Sequence, residues 1–526
     1  MIKKLAAALL MLSVSTTTIV NAQAKLSIDK VYSAYLRNSG TIMENNQIRG
    51  YFYLYLSDKI DRKTNEYTLQ ILDENLNKVQ DIKFQDSKDV NLLEASYNGG
   101  SLAFLFKNSN EKTLDMKIYG LDGKLKYSYS REYTKKTDAL MTQYETMHTD
   151  DGTNQNVFDL GTKGYVSVMP LRDGRNITYE VDFYSSESKK QWIYKPLNDD
   201  DKFAQAEYLG SVDNLVILQV IRKSKKMSGR MASHLVGIDI SAKKLQFDLE
   251  ADEEDEKLLL PTSVARIAGS GNILVMGSYY NKGDKIMKDP SKGLGVYEID
   301  TKGNILTRTY NSWEQDFAKY LPSNRKGKID NIGYLYIHKM IQAPGGKLFV
   351  VGEGYKKQAS AGGIALTALA AAGGSYGGRG SAGVTKVVVT DMVIMEFNSQ
   401  YKVTAASIYD KTNNTAEASI MSDYSSQHAM AVYLKMMGAF DYDFTTSEPD
   451  NSSFSVCFSD YVRGGDYKGQ TFNTIRYNGT KFTTDRIELK SKASSMRVFP
   501  AKPGSVMIME YFRKGKRLDF RLEKIG

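Results

Sequence analysis

Gly50-Tyr51-Phe52-Tyr53-Leu54-Tyr55-Leu56, followed by a second strand that ends in the polar turn Leu72-Asp73-Glu74-Asn75, is the unit from which the chain is built. The leading run is a hydrophobic strand introduced by Gly, and the turn after its partner is made of short polar residues that cap their own backbone. The leading strand returns at Gly100 to Phe106, Gly164 to Met169, Asn214 to Val220, Gly271 to Gly277, Gly346 to Val351, Ser453 to Phe458 and Gly504 to Glu510. The turn returns as Leu121-Asp122-Gly123-Lys124, Tyr184-Ser185-Ser186-Glu187, Ile238-Asp239-Ile240-Ser241, Ile299-Asp300-Thr301-Lys302-Gly303, Phe397-Asn398-Ser399-Gln400 and Tyr477-Asn478-Gly479-Thr480. A hairpin unit repeated around a chain of this length is the pattern of a β-propeller.

The spacing predicts an all-β chain: a β-propeller of eight blades, each of four antiparallel strands. The last unit has Ser505 to Tyr511 and Leu518 to Lys524 and then runs out of chain before a fourth strand. Open edges invite aggregation, so Lys25 to Tyr35 is expected to pair there and close the ring. A seven-bladed ring with a terminal hairpin, and two stacked β domains, are the alternatives. Composition agrees with a large β domain, with 35 Tyr, 20 Phe and 9 Pro. One domain over residues 25–526 is expected, interrupted by insertions at about 310–343, 355–385 and 408–450.

Lys3 and Lys4, the apolar run Leu5 to Val14 and the small-residue site Ala22-Gln23-Ala24 form a secretory signal over residues 1–24. The mature chain is expected in the periplasm or outside the cell. No later segment reaches the roughly 18 apolar residues of a membrane-crossing helix, so no transmembrane span is expected. Cys457 is the single cysteine and reads as a packed core residue.

Removing the signal takes away Lys3 and Lys4 and no acid, so the formal charge falls from +9 to +7. The basic residues crowd the loops between second and third strands: Arg222, Lys223, Lys225, Lys226 and Arg230 in the fourth unit; Lys356, Lys357 and Arg379 in the sixth; Arg513, Lys514, Lys516 and Arg517 in the eighth. These twelve are the candidate binding residues, and their charge suits an anionic partner. Acidic runs at Asp199 to Asp201 and Glu250 to Glu256 fall on the same predicted face and oppose them. No nucleic-acid module is visible, so nucleic acid is not an expected partner.

The insertions emerge on that face as well. Trp313, Phe317 and Tyr320 carry helical spacing, and Ala429, Val432, Tyr433, Met436 and Met437 do so again, predicting covering helices. Ala359 to Gly383 is a low-complexity stretch of Gly and Ala. Chemistry is sparse: His148, His234, His338 and His428 are scattered, with no metal-ligand spacing. Asp73, Asn75 and Asn77 imitate the start of a calcium loop, but Lys78 stands where Gly is needed and Phe84 where the bidentate Glu belongs, so this is a hairpin turn.

The turns Ser185 to Trp192 and Asp300 to Leu306 resemble those of secreted propellers with quinoprotein-like repeats, where Asp and often Gly precede a hydrophobic or Trp-bearing outer strand. Enzymes of that kind show Trp recurrently, whereas this chain has only Trp192 and Trp313, so no cofactor is expected. The whole also resembles exported β-propeller proteins of Gram-negative bacteria, which implies export without implying a residue-level role. The expected function is an exported scaffold whose loop face engages an envelope protein or glycan. The alternative is a hydrolase or lyase of an anionic polysaccharide.

Overall fold

A computed structural model describes residues 24–44, 47–145, 156–196, 201–224, 231–251, 256–286, 288–359, 385–416 and 426–525. Leu102 to Phe106 show why the leading strands are apolar throughout. Leu102, Phe104 and Phe106 pack against blade 1, and Ala103 and Leu105 against blade 3. Leu348 and Val350 face one neighbouring blade, Phe349 and Val351 the other. Side chains alternate across a strand, so a strand sandwiched between two blades must be apolar at every position.

Eight antiparallel blades result. Blade 1 runs Ser33–Glu44, Gln47–Lys59, Thr64–Asp73 and Lys78–Ser87, each strand pairing with the next. The innermost strands of blades 2 to 8 are Val90–Tyr97, Val157–Asp159, Asp201–Val212, Lys257–Arg266, Tyr334–Ala343, Tyr442–Ser447 and Ser495–Pro500. Blades 3 and 4 are stitched into one sheet by the parallel pair Ile177 and Phe203. One apolar core lies between each pair of neighbours, from blades 1 and 2 round to blades 8 and 1. Removing one such ring, Phe349 for example, costs about 3 to 5 kcal/mol in cores of this kind. Cys457 is buried between blades 7 and 8, where burial pushes its thiol well above the ordinary range.

The ring closes as the truncated last unit requires. Lys25–Asp29 pairs antiparallel with Arg517–Lys524, from Lys25 opposite Arg521 to Asp29 opposite Arg517. Ile28 and Val31 then join Tyr53, Met509 and Phe520 in the core between blades 8 and 1. The outer hairpins are capped as the repeated turn predicts. Asp73 Oδ1 accepts from Asn75 and Asn77, Asp300 Oδ1 from Lys302 and Asn304, and Asn398 Oδ1 from Gln400 and Lys402. The fourth turn residue has positive φ in all three, +67° at Leu76, +92° at Gly303 and +59° at Tyr401, a region that only Gly enters without cost.

Strand alternation puts the connections between blades on one face with the second-to-third-strand loops; we call it the loop face. The inner turns and outer hairpins share the opposite, turn face. Helix α1 (Lys135–Glu145) lies between blades 2 and 3, and helix α2 (Gln427–Met436) between blades 6 and 7. The 310–343 insertion makes less helix than its aromatic spacing predicts, a single 3-10 turn at Phe317–Lys319. Trp313 and Phe317 plunge between blades 5 and 6, Trp313 Nε1 donating to Ser291 Oγ at 3.1 Å, instead of lying over the ring. Gly327 passes so close to the indole that a methyl there would stand 2.5 Å from Nε1. The signal segment, residues 360–383 of the Gly/Ala stretch and His148 lie outside the described residues.

Candidate functional site

The innermost strands are irregular in a patterned way. Those of blades 2, 4, 5, 6 and 7 each carry one extra residue at mid-strand relative to the strand opposite: Leu93, Leu209, Thr262, His338 and Asp443. A bulge leaves its extra residue unpaired and re-aims the side chain. Leu93 turns into the core between blades 2 and 3. The other four line one central cavity of about 930 Å³.

The cavity is walled by the inner strands of blades 1, 4, 5, 6, 7 and 8 and by the chain leaving helix α2, from Lys435 to Phe440. Ser426 caps that helix through Ala429 N at 3.1 Å. Met430, Ala431 and Leu434 bury against Tyr355, Val387 and Val389 of blade 6, while Lys435 reaches across to Glu207 on the inner strand of blade 4. The helix therefore links blades 6 and 4 over the loop-face end of the channel. Burial opposes charge on this pair, but each partner holds the other ionised: Glu207 lies below its ordinary value and Lys435 above.

Behind the wall sits a buried charge network. Glu353, in the middle of an apolar strand, is fully buried and accepts from His338 Nε2 at 2.9 Å, Asp441 N at 3.0 Å and Tyr442 N at 3.3 Å. Lys411, its side chain equally buried, lies 3.1 Å from Glu353 and also binds Asp441. Asn414 Nδ2 donates to Asp441 Oδ1 at 3.0 Å. Burial alone would raise the Glu353 carboxyl; Lys411 and His338 outweigh it and hold the group below the usual range. Lys411 is pulled down by burial and more strongly up by Glu353 and Asp441.

Two acids on the cavity side shift the other way from Glu353. Burial pushes Asp441 up to about 7 against the pull of Lys411. It also pushes Asp443 up to about 7, against a hydrogen bond from Ser459 Oγ at 2.8 Å. Tyr442 between them stacks on the His338 ring at 4.5 Å, and Tyr336 stacks on Phe440 at 4.6 Å. Arg497 donates to Ser39 O at 3.4 Å and lies on the Phe499 ring at 4.8 Å. Aromatic faces beside groups that can give or take a proton near neutrality make a pocket suited to a polar ligand. Among the described residues no group of three or more His, Cys, Asp or Glu is placed to hold a metal ion, and no helix is long and apolar enough to cross a membrane.

The basic loops stand apart from this cavity, on blades 4, 6 and 8. Arg222 is buried, 2.6 Å from Asp248 and beside His234, with Lys223 half-buried next to it. Lys356 Nζ binds the Asn331 carbonyl, and Lys357 is half-buried on the same strand. Arg513, Lys514 and Lys516 are exposed; Lys516 lies 4.2 Å from the Tyr32 ring, and Arg517 pairs with Asp519 at 2.9 Å. Lys225, Lys226, Arg230 and Arg379 lie outside the described residues. The structure brings His338 together with Glu353, Lys411, Asp441, Asp443 and Arg497, a group absent from the twelve basic candidates. One signal for it was available: a lone Glu inside Leu348 to Gly354, where every neighbour is apolar or Gly.

Among solved structures the chain is similar to the WD40 domain of SCAP from fission yeast, at 9% identity and a TM-score of 0.38 over 96% of each chain. It is similar also to a post-proline cleaving enzyme from Rickettsia typhi, at 9% identity and 0.39 over 92% of this chain and 58% of that one. Prolyl oligopeptidase B from Galerina marginata gives 9% identity and 0.39 over 92% and 56%. Likenesses of this size carry no mechanism, and the architecture rests on the strand pairing itself. No curated protein matches the sequence. The model of one family, described as "Family of unknown function (DUF6770)", matches residues 1–526, so the chain belongs to that family.

Proposed function

We propose that this chain is an exported binding propeller that holds a glycan unit of the cell envelope in its central cavity. The observation that carries this reading is the alignment of four bulges, which send Leu209, Thr262, His338 and Asp443 into one space of about 930 Å³. That volume falls within the range of small-ligand sites, and the mixture of aromatic rings with a few polar groups is what fixes a polar ligand's orientation. Helix α2 covers the loop-face end, so the ligand is held in the channel and the loops above serve as its frame. Export follows from the signal pattern of residues 1–24; an N-terminus at Lys25 in protein recovered from the periplasm or medium tests it.

The binding test is retention of envelope-derived oligosaccharides on immobilised mature protein, beside a Thr262→Phe variant that fills the cavity. Loss of retention in the variant supports the reading. Equal retention by both moves the binding surface to the outer loops.

A second reading, hydrolysis or elimination on an anionic polysaccharide, is favoured by one arrangement: Asp441 and Asp443, each pushed up to about 7 by burial, line a cavity that also holds Arg497. New reducing ends, or the absorbance of an unsaturated sugar, that disappear in Asp443→Asn would establish it.

A further inference from the structure

Blade 3 leaves part of its second strand uncovered. Its inner strand spans only Val157–Asp159, and the shared edge ends where Val168 N donates to Asn156 O at 3.0 Å. The second strand continues to Asp173, and among the described residues no inner strand pairs with it beyond that point. Backbone N–H groups alternate sides along an antiparallel strand, so position 170 points the same way as Val168, and it is Pro170. A proline has no N–H to leave unpaired, so the sequence itself is suited to an open edge here.

The opening is a slot of about 100 Å³ between blades 3 and 4, at the loop-face end. Tyr179 lines one side, and Ala206 on the inner strand of blade 4 lines the other with a side chain too small to fill the gap. Val432 and Met436 roof it. They lie on the face of helix α2 turned away from Met430, Ala431 and Leu434, which bury against blade 6. Tyr208, stacked on Phe158 at 3.9 Å, and Lys435 line both the slot and the central cavity. The two spaces are thus neighbours of different character, one large with polar groups and one small with mainly apolar walls.

Resting on the glycan reading above, we infer that the ligand is an N-acylated amino sugar whose short acyl chain seats in this slot while its ring lies in the central cavity. At about 30 Å³ for a water-sized group the slot holds about three carbons, which suits chains from acetyl to butyryl and excludes a lipid tail. Each methylene buried in an apolar recess is worth about fourfold in affinity. Asn156 and Gln205, among the few polar side chains of the lining, suit the amide that carries such a chain. A sugar with a plain hydroxyl at that position leaves the slot empty, so the slot selects the substituent while the cavity reads the ring.

The test is calorimetric titration of the mature protein with one tetrasaccharide backbone in four forms: cellotetraose, and its amino-sugar counterparts carrying N-acetyl, N-butyryl or N-octanoyl chains. The N-acetyl form should bind at least about fourfold more tightly than cellotetraose, the N-butyryl form about tenfold more tightly again, and the N-octanoyl form more weakly than the N-butyryl. Ala206→Leu fills the slot and should flatten the series. Met436→Ala enlarges it and should carry the optimum toward the longer chain. Equal affinity for all four forms makes the slot a packing void, which overturns this inference and leaves the glycan reading standing. A chain-length preference unchanged in both variants places the acyl group elsewhere and overturns it as well. Binding of no form by protein that unfolds cooperatively overturns both readings.

Discussion

Two buried carboxylates hold neighbouring blades together by the same device. Glu94, on the inner strand of blade 2, accepts from Asn156 N at 2.9 Å and Val157 N at 2.7 Å, clamping blade 3. Glu353, in blade 6, accepts from Asp441 N and Tyr442 N and clamps blade 7. Each lies beside a bulge, Leu93 in one case and His338 in the other. The difference is in what surrounds them. Leu93 turns into an apolar core, whereas His338 is wired to Glu353 and faces the cavity, with Lys411 and Asp441 completing a network. One structural joint has remained a joint. The other forms the back wall of the cavity, and its charges add to burial in shifting the acids in front of it.

The largest expected effect comes from breaking the wired clamp. Glu353→Ala leaves Lys411 buried with Asp441 as its remaining acid and strips two backbone N–H groups of their acceptor. Loss of one partner from a buried ion pair costs about 3 to 5 kcal/mol. Urea unfolding measures it. Glu94→Ala strips Asn156 N and Val157 N of their acceptor, and a cost nearer about 1 to 3 kcal/mol is expected. Equal costs for the two would show that the extra wiring around Glu353 adds nothing to stability.

The joints and the ring were far more legible than the site. Asp73, Asp300 and Asn398 announce their turns because the capping contacts span only two and four residues. The need for Lys25–Asp29 to close the ring follows from a last unit lacking its fourth strand. The bulges left no comparable mark, since an extra residue is defined by the partner strand's register, which local sequence does not contain. Arg222 shows the same limit from the other side. Its proximity to other basic residues is written in the sequence, but its ion pair with Asp248 forms across the intervening strand Ala232–Asp239, which pairs with the strands of both. Glu353 and Glu94 were the readable exceptions, each an acid stranded in an apolar run, where burial demands a partner.

A smaller effect separates the network from the acid it faces, and its sign differs between the two. The Asp443 carboxyl is raised from 3.8 to about 7, so between those values the folded chain binds a proton the unfolded chain has released. Its contribution therefore falls as pH rises from about 4 to about 7 and is flat above. Glu353 is lowered from 4.5, so its contribution is present above that value and lost as pH falls through the folded pKa. Asp443→Asn should match the wild type near pH 4 and gain on it steadily toward pH 7, with Asp441, Glu353 and Arg497 setting the background field. Thermal unfolding across that range checks it; a constant gap would mean that Asp443 is ionised throughout.

The smallest change sharpens the same point at a single bond. Ser459→Ala deletes the hydroxyl that donates to Asp443 at 2.8 Å and keeps the backbone bond from Ser459 N to Asp441 O. A hydrogen bond to the charged form lowers a carboxyl's pKa, so its loss should raise Asp443 further and leave Glu353 where it was. Carbon-detected NMR titration of the two carboxyls resolves this directly. Movement of both together would mean that the cavity acids and the clamp titrate as one unit, and the division between wall and site would then lie elsewhere than at Tyr442.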